Sequence, residues 1–89
     1  MGMIIRPDNT LDKVEPQNGS HYTLDELQQY VGGLIEVVQL TNSTLMIVNE
    51  EGQLLGLPFN FAASNLVQDR LPGQIIVGTV VVIKDNELK

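Results

Sequence analysis

The expected fold is decided by residues 45–60, which read LMIVNEEGQLLGLPFN. The first four of these residues are apolar, which is typical of a strand that is central in a sheet or buried on both faces. The segment Asn49–Gly52 combines turn residues with two carboxylates, so it predicts a hairpin with an acidic tip in which Gly52 supplies a positive φ. Residues 53–55 are then expected to return as an antiparallel strand, before Pro58 takes the chain out of the sheet.

Helix signals lie on both sides of this stretch. Thr23 and Glu26 have the spacing of a capping box, in which each side chain binds the backbone N–H of the other residue. Gly32-Gly33 is typical of a helix end. Downstream, Asn60 is a predicted N-cap for two helical turns over residues 61–67. We therefore expect two short helices.

Further strands are predicted before, between and after these helices. Residues 3–6 and 11–15 are short, and residues 34–40 follow the first helix. Residues 74–83 form the strongest strand signal, and we place this strand centrally. Gly78 within it predicts a bulge or a close backbone approach. The order is β-β-α-β-β-β-α-β, which is an α+β class with a curled, mostly antiparallel sheet or a small open barrel.

The length of 89 residues predicts a single domain over residues 1–89. Residues 1–2 are interpreted as candidate additions ahead of a natural start at Met3, and residues 84–89 as a frayed, charged tail. The chain has no cysteine, which excludes disulfides and zinc–thiolate sites. With no signal peptide or membrane span recognisable in the sequence, a cytoplasmic location is the simplest interpretation.

The charge of the chain bears on its partners. The formal net charge is −6, with 11 acidic residues against 5 basic ones that are scattered along the sequence. Because nucleic-acid binding requires clustered Lys and Arg, no direct nucleic-acid contact is expected. The acidity is explained by solubility or, as an alternative, by imitation of a nucleic acid toward a basic protein.

Catalytic, metal and cofactor sites are not indicated by the sequence. His21 is the single histidine and lies in a loop, so neither a nucleophilic triad nor a zinc site is supported. The Gly32-Gly33 pair lacks the spacing and position of a dinucleotide fingerprint. We therefore expect a protein that is not an enzyme and that carries no cofactor.

Two groups of residues leave alternatives open. Glu50 and Glu51 could bind a divalent cation or transfer protons, or they could be solvated turn residues that guard a sheet edge. Asn60 could act as a helix cap only, or it could face a pocket in which the helix amides bind a small anion. The sequence alone does not place other carboxylates, such as Glu36, near either group.

The order of several short motifs resembles a known family. These motifs are Tyr30–Gly33, Glu36–Val38, Asn49–Gly52, Gly56–Asn60, Ala63-Ser64 and Ile76–Val82. Together they resemble a family of small proteins from phages, plasmids and other mobile elements of bacteria, described only as a domain of unknown function. The resemblance spans roughly residues 3–83. It implies an accessory protein of the bacterial or phage cytoplasm.

The resemblance also implies which positions to examine, because relatives carry the acidic turn and the Leu-Pro-Phe-Asn loop. The candidate binding residues are Asn49, Glu50, Glu51, Gly52, Pro58, Phe59, Asn60 and Ser64. The leading hypothesis is a binding module that contacts an unidentified protein partner or a second copy of itself in a homo-oligomer. The alternatives are a binder of a small anionic, nucleotide-type ligand, an acidic nucleic-acid mimic and, last, a hydrolase that uses Glu50 or Glu51.

Overall fold

A computed structural model describes residues 1–88 of the chain. It contains five strands that form one open sheet in the order β2-β1-β5-β4-β3, with every neighbouring pair antiparallel. The predicted α+β class with a mostly antiparallel sheet is confirmed, in its open-sheet form. The elements are β1 (Gly2–Ile5), β2 (Leu11–Val14), α1 (Leu24–Val31), β3 (Ile35–Gln39), β4 (Thr44–Asn49), α2 (Phe61–Leu66), β5 (Val80–Lys84) and a 3₁₀ turn (Asp85–Glu87).

The last strand occupies the centre of the sheet, as the sequence predicted. β5 pairs with β1 on one side and with β4 on the other, although both partners precede it by many residues in the chain. The strand starts at Val80 and is shorter than predicted, because residues 74–79 leave the sheet and cross over α2. Gly78 in this crossing has φ 78°, and a Cβ at this position would lie 2.8 Å from Leu57 Cδ1. The chain does approach Gly78 closely, as one of the two alternatives predicted, but Gly78 lies before the strand and not within it.

The sheet is buried on both faces, and its apolar residues divide between two clusters. The register places residues of one cluster opposite each other across neighbouring strands, as in the pair Ile47↔Val81 and the pair Met46↔Val82. The cluster on the α1 face contains Ile4, Tyr22, Leu27, Val31, Leu45, Ile47, Val81 and Ile83. The cluster on the α2 face contains Ile5, Met46, Val48, Ala63, Val67, Ile76 and Val80.

Two-sided burial explains why β4 and β5 are continuous apolar runs without polar alternation. Met46, Ile47, Val80 and Val81 are fully buried. Burial of one such side chain stabilises the folded state by about 1.5–3 kcal/mol. A one-residue slip of a strand would move each of its side chains to the opposite face of the sheet, into the other apolar cluster. Packing on both faces therefore fixes the register.

The ends of α1 follow the sequence signals. Thr23 Oγ1 accepts a hydrogen bond from the Glu26 N–H at 3.2 Å, and Glu26 Oε1 accepts one from the Thr23 N–H at 2.9 Å, so the predicted capping box is confirmed. Gly32 closes the helix in the left-handed conformation with φ 82°. Glu26 Oε2 also accepts from the Gln17 N–H at 2.9 Å, which binds the preceding loop to the helix.

One predicted strand does not exist. Residues 50–56 form consecutive turns, with backbone hydrogen bonds from Leu55 N–H to the Glu51 carbonyl at 2.9 Å and from Gly56 N–H to the Gln53 carbonyl at 3.1 Å. Gly52 does not have a positive φ; it is buried, and a Cβ there would lie 2.8 Å from Val77 Cγ2. The order is therefore β-β-α-β-β-α-β, and residues 53–55 are part of a surface loop.

The C-terminal end of the chain differs from the sequence expectation. Lys84 belongs to β5, Asp85–Glu87 form the 3₁₀ turn, and Glu87 is buried, so these residues do not form a frayed tail; Lys89 lies outside the described residues. Gly2 lies within β1 and pairs with Val14. Among residues 1–88, no helix has the length and the apolar character that crossing a membrane requires.

The Glu26 contacts generate a prediction about pH. The N–H groups of Thr23 and Gln17 lower the pKa of the Glu26 carboxyl below its ordinary value of 4.5. A carboxyl with a lowered folded-state pKa stabilises the protein above its unfolded pKa, and this contribution is lost as the pH falls through the folded value. We expect Glu26→Gln to unfold at lower denaturant concentration at neutral pH, with a difference from the wild type that shrinks below pH 4.5.

Denaturant titrations at neutral and acidic pH check this expectation. Asp25→Asn is the control, because Asp25 is an exposed carboxylate on the same helical turn. If the two variants lost the same stability at neutral pH and changed with pH in the same way, the assigned role of Glu26 would be wrong.

Candidate functional site

The eight residues predicted as a site divide by exposure. Asn49, Gly52, Asn60 and Ser64 are buried, whereas Glu50, Glu51, Pro58 and Phe59 are exposed. The buried polar residues among them bind other parts of the chain.

Asn60 is completely buried, and its side chain joins three segments. Its Nδ2 group donates to the Ile5 carbonyl at 3.0 Å and to the Gly78 carbonyl at 2.8 Å, while Oδ1 accepts from the Ala63 N–H at 3.0 Å. The predicted N-cap of α2 is therefore confirmed. Because both ends of the amide already have protein partners, Asn60 has no free group directed at a ligand.

Ser64 holds the crossing segment against α2. Its hydroxyl donates to the Ile76 carbonyl at 3.1 Å and accepts from the Ile76 N–H at 2.8 Å. The same carbonyl accepts from the Asn60 N–H at 2.9 Å. Ser64 therefore acts as a structural residue that fixes where residues 74–77 lie.

Asn49 connects the end of β4 to α1. Its Nδ2 group donates to the carbonyl of Val31, the last residue of α1, at 3.1 Å, and its Oδ1 accepts from the Glu51 N–H at 2.8 Å. The second bond is an Asx turn, which bends the backbone immediately after β4. This bend directs Glu50 and Glu51 outward beside the edge of the sheet.

The exposed residues of the acidic turn line a cavity of about 340 Å³, which we name the edge groove. It lies beside β3, one of the two edge strands, on the sheet face that carries α2. Val38 shows this, because it lines the groove and packs against the α2-face cluster. Its walls are contributed by β3, the end of β4, the turns after β4 and the segment that crosses α2. The lining residues are Glu36, Val38, Val48–Leu54, Leu71 and Gln74–Val77.

Carboxylates and exposed apolar side chains are combined in the edge groove. Glu36, Glu50 and Glu51 are its acidic residues, and none of the lining residues just given is Lys, Arg or His. Leu54 is 82% exposed and Ile75 is 53% exposed. The groove can therefore attract a cation and bury apolar groups at the same time.

Sequence reasoning missed Glu36 as a site residue. The β3–β4 register pairs Glu36 with Val48, and the Glu50 N–H donates to the Leu34 carbonyl at 2.8 Å, so the two acidic positions become neighbours across the hairpin. A prediction of that register from the turn at residues 40–43 would have found it. Within the described chain, no group of three or more His, Cys, Asp or Glu side chains is placed to hold a metal ion.

The remaining predicted residues lie elsewhere. Pro58 lines a second cavity, of about 470 Å³, together with Arg6 and Tyr30. Phe59 forms an edge-to-face pair with Phe61, with ring centroids 6.4 Å apart, and both rings are exposed. The structure thus brings Asn49–Gly52 together in the edge groove and separates them from Pro58 and Phe59.

The single histidine has only local partners. His21 Nδ1 lies 3.0 Å from Ser20 Oγ, and its Nε2 lies 3.3 Å from Asn18 Nδ2. These residues belong to one loop, and none of them lines either of the two cavities. The Ser20–His21 contact is therefore a turn interaction beside the start of α1.

Comparison with known proteins gives one family. The model of the family described as "Domain of unknown function (DUF3846)" matches residues 1–88. The searches against curated proteins and against solved structures each returned no match.

The role assigned to Asn60 predicts a large loss of stability in Asn60→Ala. The substitution removes the N-cap of α2 and leaves two buried carbonyls and one buried N–H without their partner, so we expect a loss of roughly 2–4 kcal/mol in the free energy of unfolding. Asn65→Ala on the exposed side of α2 is the control, with an expected change of no more than about 0.5 kcal/mol. Urea titration compares the two variants, and equal stabilities would refute the structural role of Asn60.

Proposed function

The chain belongs to the DUF3846 family, a domain of unknown function, and we propose that it is a small non-enzymatic module that binds a protein partner through the edge groove. The observation that carries this proposal is the combination of water-exposed apolar side chains with a carboxylate rim in a single groove beside a sheet edge. Such a surface has the anatomy of a protein interface, in which apolar contacts are surrounded by polar ones.

The apolar part of the surface supports a macromolecular partner. Leu54, Leu71 and Ile75 line the groove and are exposed, and Leu55 beside them is 57% exposed. Single exposed apolar residues are ordinary on protein surfaces, but a contiguous group of them is typical of an interaction site. A partner that covers these side chains removes them from water, which favours binding.

The polar residues support binding over catalysis. Asn49 lines the groove and is engaged in hydrogen bonds within the fold. The ionisable side chains that line the groove are the carboxylates of Glu36, Glu50 and Glu51. Carboxylates that act in acid–base catalysis usually lie in a site from which water is excluded. Glu50 and Glu51 are both exposed, so water surrounds them.

A small anionic ligand is disfavoured at this surface. The candidate anion contact is the N-terminus of α2, where the Asn60 side chain already accepts the hydrogen bond of the Ala63 N–H. The carboxylates of the edge groove repel anions. A nucleotide-type ligand is therefore not proposed for the edge groove.

Pairing of two copies through this face is also disfavoured. A twofold axis that joins two β3 edges places the Glu36 residues of both copies on the same face of the joined sheet. Like charges near each other across paired strands are destabilising. The proposed partner is therefore a different protein.

The proposed setting is the cytoplasm of a bacterium, with the chain encoded by a phage or another mobile element. The absence of cysteine from the chain suits a reducing compartment. The origin rests on the resemblance of the sequence motifs to proteins of mobile elements.

Capture from a lysate of the organism that encodes the chain tests the proposed function. The double variant Leu54→Ala/Ile75→Ala removes apolar area from the groove, and Leu11→Ala/Leu24→Ala removes similar exposed area from β2 and α1. We expect the wild type and the control to retain the same partner, and the groove variant to bind the purified partner about tenfold more weakly by calorimetry. Equal binding by both variants, or no specific partner of the wild type, would count against the function.

A further inference from the structure

We propose that the edge groove binds an extended, basic segment of the partner, which adds to the free edge of β3 and places Lys or Arg side chains beside Glu36, Glu50 and Glu51. This inference rests on the proposed function and specifies the chemistry of the partner. Strand addition is a general mode of peptide recognition, in which backbone hydrogen bonds give affinity and alternate side chains give specificity.

The outer edge of β3 has backbone groups directed away from the sheet. On the inner side, the Leu40 N–H donates to the Thr44 carbonyl of β4, and the Leu34 carbonyl accepts from the N–H of Glu50, directly after β4. Because the direction alternates along an antiparallel strand, the N–H and C=O groups of Ile35, Val37 and Gln39 point outward. Within residues 1–88, no strand pairs with this edge.

The acidic residues lie where side chains of an added strand would project. Alternate side chains of a strand project from opposite faces of the sheet, and Glu36 and Val38 project from the face that carries α2. A strand paired with β3 would therefore place every second side chain beside Glu36 and Val38, in the edge groove. Its other side chains would lie beside Val37, which is 44% exposed on the opposite face.

The charge of the groove selects the occupant. Three carboxylates and no basic lining residue favour a segment that carries Lys or Arg at the positions facing the groove. The net charge of −6 adds a long-range attraction for a basic partner. Because the carboxylates are exposed, this attraction is screened by salt.

A defined peptide tests this inference without a known partner. The basic probe has the length of β3 and alternates Arg with Val, the acidic probe replaces each Arg with Glu, and the third probe is the basic peptide with N-methyl groups on the edge that would pair with β3. We expect the basic probe to bind, with an affinity that falls as sodium chloride is raised. We expect the acidic and the N-methylated probes to bind at least about tenfold more weakly.

Two protein variants of equal net charge locate the site. Glu36→Gln/Glu50→Gln/Glu51→Gln neutralises the groove, and Glu15→Gln/Asp25→Asn/Asp85→Asn neutralises exposed carboxylates that do not line it. We expect the first variant to bind the basic probe about tenfold more weakly and the second to bind it as the wild type does. Amide hydrogen exchange supplies the structural readout: the probe should slow exchange at Ile35, Val37 and Gln39.

Several results would overturn the inference. These are equal binding of the acidic or the N-methylated probe, protection at β2 in place of β3, equal weakening by both charge variants, or no binding of the basic probe. Failure of the proposed function is distinguished from failure of this inference by the lysate capture, which tests the function alone. A captured partner that needs Leu54 and Ile75 but is not displaced by the basic probe refutes the strand addition alone. If the basic probe binds but no partner is captured, the proposed function is refuted, whereas the inference that the groove binds a basic strand is supported.

Discussion

The amide of Asn60 is the interaction on which the α2 face of this protein depends. Its three hydrogen bonds reach β1 through Ile5, the segment before β5 through Gly78, and the first turn of α2 through Ala63. In a buried site, each of these backbone groups would be costly to leave without a partner. The Asn60 amide therefore holds α2 in place, although this helix is too short to be stable by itself.

The position of the edge groove follows from the hydrogen bonds of Asn60. Once α2 is held against the sheet, the Ser64 hydroxyl binds both backbone groups of Ile76 and sets the path of the crossing segment. On the other wall, the Asx turn of Asn49 directs the acidic residues outward. Buried polar residues thus shape the groove, and exposed carboxylates and leucines give it its chemistry. Of the residues predicted as a site, Asn49, Asn60 and Ser64 hold the fold together, whereas Glu50 and Glu51 are exposed and line the groove.

Local signals in the sequence predicted the local structure well. The capping box of α1, the cap of α2 and the two-sided burial of β4 each depend on residues close together in the chain, and each is confirmed. The strand at residues 53–55 was wrong because the Asx turn and the contact of Gly52 with Val77 override the apolar pattern. The partners of Asn60 and the approach of Glu36 to the acidic turn depend on tertiary register, which periodicity does not reveal.

An acidic residue on an edge strand has two physical consequences. Glu36 discourages chance pairing with acidic strands, including β3 of another copy, because a like charge would come to lie beside it. The same carboxylate stabilises a strand that brings a positive charge to that position. Glu36 alone can therefore both discourage aggregation and favour a basic partner. Glu50 and Glu51 line the same groove, so the proposed strand would meet their charges beyond the edge of β3 as well.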